Sequence, residues 1–255
     1  MTISEKILLS LSRKPGPNDY QVGHQAWDID NALSTLIAAF PDFINSIKGK
    51  TVLDFGCGDG YQSVALIRNG ARYALGVDIR TDMRNNASKL ARDNNVIQQA
   101  EFADRVESRF RGFFDIVISQ NSMEHFRNPL EIVNIMKSAL KEGGALYIMF
   151  GGSWYAPYGA HAEFFTKVPW VNILFDEKTV MNVRSLFRTD GAMRYEDVEG
   201  GLNKMSIAKF EHIISQSNMA VRYLKYGCVK RIDVLAKVPI LRELFINGVS
   251  CILCK

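Results

Sequence analysis

The chain has 255 residues, of which 47% are hydrophobic and 23% are charged, a balance typical of folded globular proteins. Its net charge of +4 is small and its basic residues are scattered, whereas a nucleic-acid-binding protein more often carries a basic stripe or tail. No stretch approaches the roughly 18 consecutive apolar residues of a membrane-spanning helix, and the opening residues do not form a signal peptide. We therefore expect a cytoplasmic protein that has no membrane span and binds no nucleic acid.

The four cysteines predict neither a metal site nor a disulfide framework. Cys251 and Cys254 have CxxC spacing, but no second pair of cysteine or histidine residues matches it. They also lie in a predicted strand, where side chains three residues apart point to opposite faces. We expect free thiols, as in a reducing compartment, and no bound metal.

The first 48 residues have helical patterns. An amphipathic pattern opens the chain, the Pro15-Gly16-Pro17-Asn18 stretch interrupts it, and residues 28–43 place apolar side chains at helical spacing. We predict that residues 1–48 form an N-terminal helical lid.

Residues 49–150 alternate between apolar strands and helices. The predicted strands are 51–55, 72–78, 97–102, 113–119 and 145–150. The predicted helices are 61–69, 82–94 and 128–140. Thr81 is the expected N-cap of the second helix, and Gly143-Gly144 the expected end of the third. Apolar strands that alternate with helices predict a parallel sheet covered on both faces.

Residues 151–202 interrupt this alternation with an aromatic-rich insertion, and residues 203–255 resume it. The last part contains a helix capped by Ser206, a helical stretch near 235–245, and strands near 219–229 and 248–254. Together these patterns predict an α/β protein of Rossmann-like, doubly wound architecture. We expect a mostly parallel seven-stranded sheet with helices on both faces, a cofactor-binding core over 49–150 and an insertion after the fifth strand.

The glycine-rich stretch DFGCGDG, residues 54–60, follows the first strand and marks a ligand site. A phosphate-binding P-loop would need a Lys-Ser/Thr pair after the glycines, and residues 59–62 have none. A dinucleotide-binding turn would need its third glycine at position 61, where Tyr61 stands. Asp54 and Asp59 also place negative charge where a pyrophosphate would lie, so a ligand with a cationic amino-acid end suits the turn better.

Asp78 ends the second strand, twenty residues after Gly58. At this position an acidic side chain can accept hydrogen bonds from both hydroxyls of a ribose. A strand-end aspartate can equally cap the next helix, so Asp78 alone leaves both interpretations open. Together with the glycine turn, it favours a ribose-containing ligand.

The strings VLDFGCGDG, GVDI and FDIVISQNSMEHFRNPLEIVNIMKSALKEGGALYIMF resemble class I S-adenosylmethionine-dependent methyltransferases over roughly residues 50–150. The resemblance is closest to the small-molecule branch that includes the ubiquinone-biosynthesis O-methyltransferases. It implies S-adenosyl-L-methionine as the cofactor and a small-molecule acceptor, with a hydroxyl oxygen as the expected target.

The resemblance also implies a set of cofactor-binding residues: Asp54, Gly56, Gly58, Gly60, Asp78, Asp104 and Gln120. In this set, Asp54 accepts a hydrogen bond from the cofactor's ammonium group and Asp78 binds the ribose. Asp104 accepts from the adenine amino group, and Gln120 lines the wall near the methionine part.

Two histidines are the candidate catalytic residues, because a hydroxyl acceptor benefits from a general base. His161 follows the fifth strand in a Gly-x-His sequence that is similar to one in the resembling O-methyltransferases, and His125 follows the fourth strand in SMEHF. We expect His161 to act as base or acceptor-orienting group, with His125 as the alternative. A purely structural role for both is the remaining interpretation.

Aromatic residues of the insertion are expected to select the acceptor, with Trp154 and Tyr158 in the pocket wall and His24 reaching it from the lid. Asn203 could contact substrate, although turn chemistry explains it equally well. A protein or nucleic-acid methyltransferase, an NAD-dependent dehydrogenase and a cofactor-binding scaffold without turnover are the alternatives. No motif predicts an oligomeric state.

Overall fold

The computed structural model describes residues 1–16, 28–198, 200–231, 234, 237–239 and 241–255. The strands in these ranges are β1 (Thr51–Phe55), β2 (Tyr73–Val77), β3 (Ala100–Ala103), β4 (Phe114–Gln120), β5 (Leu140–Gly151), β6 (Ala220–Cys228) and β7 (Ile246–Cys254). The α-helices are α1 (Ile3–Ser10), α2 (Ser34–Ala39), α3 (Phe43–Ile47), α4 (Tyr61–Arg68), α5 (Thr81–Asp93), α6 (Pro129–Ala139), α7 (Val171–Leu174), α8 (Glu177–Arg184), α9 (Ile207–Ser217) and α10 (Arg242–Phe245). Across those ranges, no helix is both long enough and apolar enough to cross a membrane.

The seven strands form one sheet in the order β3-β2-β1-β4-β5-β7-β6. Strands β1 to β5 pair in parallel, and β7 lies antiparallel between β5 and β6. The mostly parallel seven-stranded sheet predicted from the sequence is therefore confirmed. Because the parallel strands run in one direction, their carboxyl ends meet along one edge of the sheet.

Two hydrophobic cores cover the two faces of the sheet. Val52 and Ile116 point to the face that packs against α2, α3, α4 and α5. Their chain neighbours Leu53 and Val117 point to the opposite face, which packs against α6 and α9. The alternation follows from the two-residue period of a strand, and it confirms helices on both faces.

Helix α1 packs on the insertion. Thr2 and Glu5 form a capping box at its start, and the Asn182 amide in α8 donates to Glu5 at 2.7 Å. Leu8 joins a third hydrophobic cluster with Phe165 and Met181. The predicted lid role of residues 1–48 stays a prediction, and its contact residue His24 lies outside the described residues.

Three local predictions were wrong. Residues 28–43 do not form one helix, because Pro41 disfavours helical backbone at Phe40 and separates α2 from α3. Thr81 is the first residue of α5, and Arg80 occupies its N-cap position. Gly143 and Gly144 do not end α6 but lie within β5, where they exchange backbone hydrogen bonds with Lys255 after β7.

Gly60 allows α4 and α5 to approach each other. It stands at the N-cap of α4 with φ at +80°, and a Cβ there would lie 2.6 Å from the Ala87 Cβ in α5. This close approach explains the third glycine of DFGCGDG through helix packing.

We predict that Gly60→Ala lowers the free energy of unfolding by about 2–4 kcal/mol, because strain at positive φ adds to overpacking against Ala87. Gly191→Ala is the matched control, since Gly191 has φ at +76° and open space around its Cβ position. Urea unfolding of both variants tests the packing role of Gly60. Equal losses in the free energy of unfolding of the two variants would contradict this role.

Candidate active site

A large cavity opens at the carboxyl ends of the parallel strands. Its volume is about 2020 Å³, and residues that follow β1, β2, β3, β4 and β5 line it together with parts of the insertion. Pockets for a single small molecule usually measure about 300–1,000 Å³. The cavity therefore has room for two molecules at once.

Seven of the predicted site residues meet in the wall of this cavity: Gly56, Gly58, Asp78, Asp104, His125, Tyr158 and His161. They come from the five segments that follow β1 to β5, so the fold brings together residues that lie far apart in sequence. Four others do not line the cavity: Asp54, Gly60, Gln120 and Trp154. Asp54, Gly60 and Trp154 are buried, whereas Gln120 is partly exposed.

Asp78 shapes the glycine turn from across the site. One carboxylate oxygen accepts from the Gly58 backbone N–H at 3.0 Å, and the other accepts from the Arg80 N–H at 2.9 Å. Each carboxylate oxygen can accept a second hydrogen bond, so Asp78 keeps acceptor capacity for a ligand. Beside it, a Cβ on Gly58 would meet no atom within 4 Å, so open cavity borders the backbone.

Asp54 supports the same turn from below. It is buried, and it accepts hydrogen bonds from the Gln62 amide and the Ser63 hydroxyl, both at 2.6 Å. Burial raises the pKa of Asp54 to about 6, against the lowering effect of these two donors. A nearby cation would favour the charged form of this carboxyl.

The residues at this end of the cavity fit S-adenosyl-L-methionine. Gln120 Oε1, at the end of β4, is buried and has no hydrogen-bond partner among the described residues. Together with Asp54 and Asp78 it supplies acceptor oxygens, which suit the ammonium and hydroxyl donors of that molecule. The open space beside Gly58 leaves room for a ligand against the backbone.

His125 and His161 face each other in the cavity wall. Their ring centroids lie 5.7 Å apart, with the rings edge to face. His125 lies in the turn that follows β4, here named the His125 turn (residues 122–126). His161 belongs to the insertion after β5 and has φ at +51°, an uncommon backbone conformation for a non-glycine residue.

A backbone carbonyl fixes the tautomer of His125. The Nδ1 atom lies 2.6 Å from the carbonyl oxygen of Gly201, which can only accept a hydrogen bond. We therefore assign the proton to Nδ1, and Nε2 carries the free lone pair. Burial lowers the pKa of His125, so the ring is neutral at pH 7 and Nε2 can accept a proton.

His161 is neutral for the same reason. It lines the cavity and is exposed to it. Desolvation by neighbouring protein atoms, with a smaller contribution from His125, lowers the pKa of His161 to about 4. Solvent in the cavity moderates the effect, and its direction leaves the imidazole uncharged at pH 7.

Glu124 is a cavity residue that the sequence analysis missed. Its side chain is only 5% exposed, and Oε2 has no partner among the described residues. Burial raises the pKa of this carboxyl to about 7. Its position after β4 in SMEHF was a usable signal, since a carboxyl at the ligand-binding edge of a parallel sheet is a candidate site residue.

The two predicted aromatic wall residues have different surroundings. Tyr158 lines the cavity and is 40% exposed. Trp154 is 8% exposed and packs edge to face on Tyr195, with ring centroids 4.8 Å apart. Trp154 therefore belongs to the hydrophobic cluster of the insertion, and Tyr158 is the better placed of the two for contact with an acceptor.

Comparison with known proteins gives a family match over most of the chain. A family model described as a methyltransferase domain matches residues 27–223. The ubiquinone biosynthesis O-methyltransferase of Methylococcus capsulatus is 32% identical over 132 residues, which cover 49% of this chain and 55% of that protein. The enzyme of the same name from Actinobacillus pleuropneumoniae is 34% identical over 109 residues, or 40% and 46% of the two chains. The chain thus spans about half the length of the curated relatives it matches.

Solved structures share the fold. An S-adenosylmethionine-dependent methyltransferase from Mesorhizobium loti aligns with a TM-score of 0.57 over 89% of this chain and 100% of its own, at 17% identity. A second, described as a putative S-adenosylmethionine-dependent methyltransferase from Listeria monocytogenes, aligns with a TM-score of 0.58 over 89% and 98%, at 13% identity. At such low identities the likeness extends to the fold alone.

We predict that Glu124→Gln removes a pH-dependent loss of stability. Because burial raises the pKa of Glu124 from 4.5 to about 7, the folded protein keeps a proton that the unfolded chain releases between these values. Wild-type stability therefore falls as the pH rises through this window, by on the order of 3 kcal/mol from this group.

Urea unfolding at pH 5 and pH 8 checks this prediction. Relative to wild type, Glu124→Gln should gain stability at pH 8 compared with pH 5. The matched control is Glu142→Gln, since the Glu142 side chain is 87% exposed. An unchanged pH dependence in Glu124→Gln would show that the carboxyl ionises in the folded protein as it does in water.

Proposed function

The chain belongs to the methyltransferase-domain family, and on that premise we propose that it transfers a methyl group from S-adenosyl-L-methionine to a hydroxyl oxygen of a small molecule. The family and the fold imply this cofactor, as the glycine turn and Asp78 predicted. The observation that carries the acceptor part of the proposal is the pair of neutral histidines in the cavity that also contains the glycine turn.

The chain's own residues divide the cavity into a cofactor end and an acceptor end. In the proposal Asp78 binds the ribose, Gly56 and Gly58 border the methionine part, and Asp104 binds the adenine. Asp54 in β1 and Gln120 at the end of β4 support this end of the cavity. When bound, S-adenosyl-L-methionine supplies an activated methyl group on a positively charged sulfur.

His125 is the proposed general base. Its Nε2 atom is the unprotonated nitrogen, so it can take the proton of an acceptor hydroxyl as the oxygen becomes nucleophilic. His161, 5.7 Å away between ring centroids, orients the acceptor by a hydrogen bond.

The acceptor is proposed to be a small molecule with an apolar ring. Tyr158 offers an aromatic surface in the cavity wall, and the volume leaves space beside the cofactor. The relatives from Methylococcus capsulatus and Actinobacillus pleuropneumoniae are ubiquinone biosynthesis O-methyltransferases, which supports an oxygen acceptor.

Asp78→Asn is predicted to weaken binding of S-adenosyl-L-methionine by about 10- to 100-fold, because a hydrogen bond to a charged group contributes roughly 1.5–3 kcal/mol. Isothermal titration calorimetry measures the change. Asp93→Asn, which removes the same charge from an exposed position at the end of α5, is the control and should bind like wild type. Wild-type affinity in Asp78→Asn would contradict the ribose assignment.

His125→Ala should lower the turnover of methyl transfer by roughly 100-fold or more while leaving the affinity for S-adenosyl-L-methionine unchanged, as expected for loss of a general base. Release of S-adenosylhomocysteine with a panel of phenols and vicinal diphenols provides the assay. His161→Ala should mainly raise the KM of the acceptor, and His212→Ala, on the exposed side of α9, serves as control. Full turnover in both cavity variants would exclude a histidine base.

A further inference from the structure

We propose that Asn203 is a positioning residue that holds the His125 turn and thereby keeps Nε2 as the proton-accepting atom of His125. The proposal rests on the proposed function for the role of His125 as base. Asn203 lies on the 200–203 segment, which runs from the end of the insertion toward α9 and lines the cavity.

One asparagine makes three hydrogen bonds to the His125 turn. Its side-chain amide donates to the carbonyl oxygens of Met123 and Phe126, both at 2.7 Å. Its backbone N–H donates to the carbonyl oxygen of Glu124 at 2.9 Å. These bonds reach the residues on both sides of His125, so they fix the backbone that carries the imidazole.

The turn needs an external partner because it is short. Met123–His125 form a single 3₁₀ turn, and the last carbonyl groups of such a turn have no partner inside it. A primary amide carries two N–H donors, which match two of these carbonyl groups. Asn203 thus donates to carbonyl oxygens that would otherwise have no hydrogen-bond partner in a partly buried wall.

The same segment sets the tautomer of His125. Gly201, two residues before Asn203, provides the carbonyl oxygen that accepts from Nδ1 at 2.6 Å. A Cβ on Gly200 would lie only 3.0 Å from Nδ1, so the segment passes directly against the ring. Asn203 therefore fixes the distance between the turn and the carbonyl on which the tautomer depends.

The segment is itself anchored on its other side. The Leu202 N–H donates to the Tyr195 carbonyl at 3.0 Å, and the Lys209 ammonium in α9 donates to the Asn203 carbonyl at 2.7 Å. Asn203 consequently connects a fixed support to the turn, and the turn cannot move without breaking these bonds.

The test is the tautomer of His125, read from the ¹⁵N chemical shifts of histidine-labelled full-length protein. His125→Gln identifies the signal. In wild type the shifts should indicate a proton on Nδ1. In Asn203→Ala and Asn203→Asp they should move toward the Nε2–H form that free imidazole side chains favour. Asn203→Asp preserves the side-chain volume and carries the test if the alanine variant does not fold.

Asn182→Ala is the matched control, because it also removes an asparagine amide that donates at 2.7 Å, but to Glu5 and away from the turn. It should keep the wild-type tautomer. With any acceptor that wild type methylates, the Asn203 variants should lose roughly 100-fold in kcat at unchanged affinity for S-adenosyl-L-methionine, the scale expected for a displaced catalytic group.

Folded Asn203 variants that keep the wild-type tautomer would overturn the proposal. The tautomer is measured without an acceptor, so the two proposals fail separately. A shifted tautomer in a protein that methylates no hydroxyl would leave the positioning role in place and contradict the proposed function. If the Asn203 variants keep the wild-type tautomer while the wild-type protein methylates a hydroxyl, the positioning role is contradicted and the proposed function is supported.

Discussion

The parallel pairing of β1 to β5 is the constraint on which the site depends. In-register pairs such as Asp54 with Ile118 and Gln120 with Met149 bring all five carboxyl ends to one edge. The glycine turn, Asp78, Asp104, the His125 turn and Gly152 follow these five strands. Residues from 56 to 161 can therefore share one cavity, because the hydrogen bonds of the sheet leave their strands little freedom to shift.

Burial divides the cavity electrostatically. At the glycine turn, acceptor oxygens from Asp54, Asp78 and Gln120 favour a ligand with cationic and hydroxyl groups. On the other side, desolvation lowers the pKa of both His125 and His161, which keeps the two imidazoles uncharged. In the proposed function, a neutral imidazole beside a cationic methyl donor avoids repulsion and keeps a lone pair for the acceptor proton.

The sequence predicted the features that depend on local pattern. Apolar strands alternating with helices were enough to predict the sheet. Strand direction also brings the glycine turn and Asp78 to one edge, where Gly56, Gly58 and Asp78 line the cavity. Gly143-Gly144 was misread because strand pairing overrode turn chemistry: Lys255, which follows β7, lies beside the two glycines, and no local pattern predicts that contact.

The acceptor side was less predictable because it depends on contacts distant in sequence. Trp154 and Tyr158 are both aromatic, and only the packing of Trp154 on Tyr195 separates a core residue from a wall residue. Glu124 is distinguished by burial, which a single sequence does not report. The bond from His125 to Gly201 joins residues 76 positions apart, so its effect on the tautomer is visible only in the folded chain.

A crystal structure with S-adenosylhomocysteine bound tests the central claim most directly. The ribose hydroxyls should lie within hydrogen-bonding distance of the Asp78 carboxylate, with the adenine toward Asp104. The sulfur should face the part of the cavity that His125 and His161 line. A sulfur at the Asp104 end, or a ligand bound outside this cavity, would contradict the account.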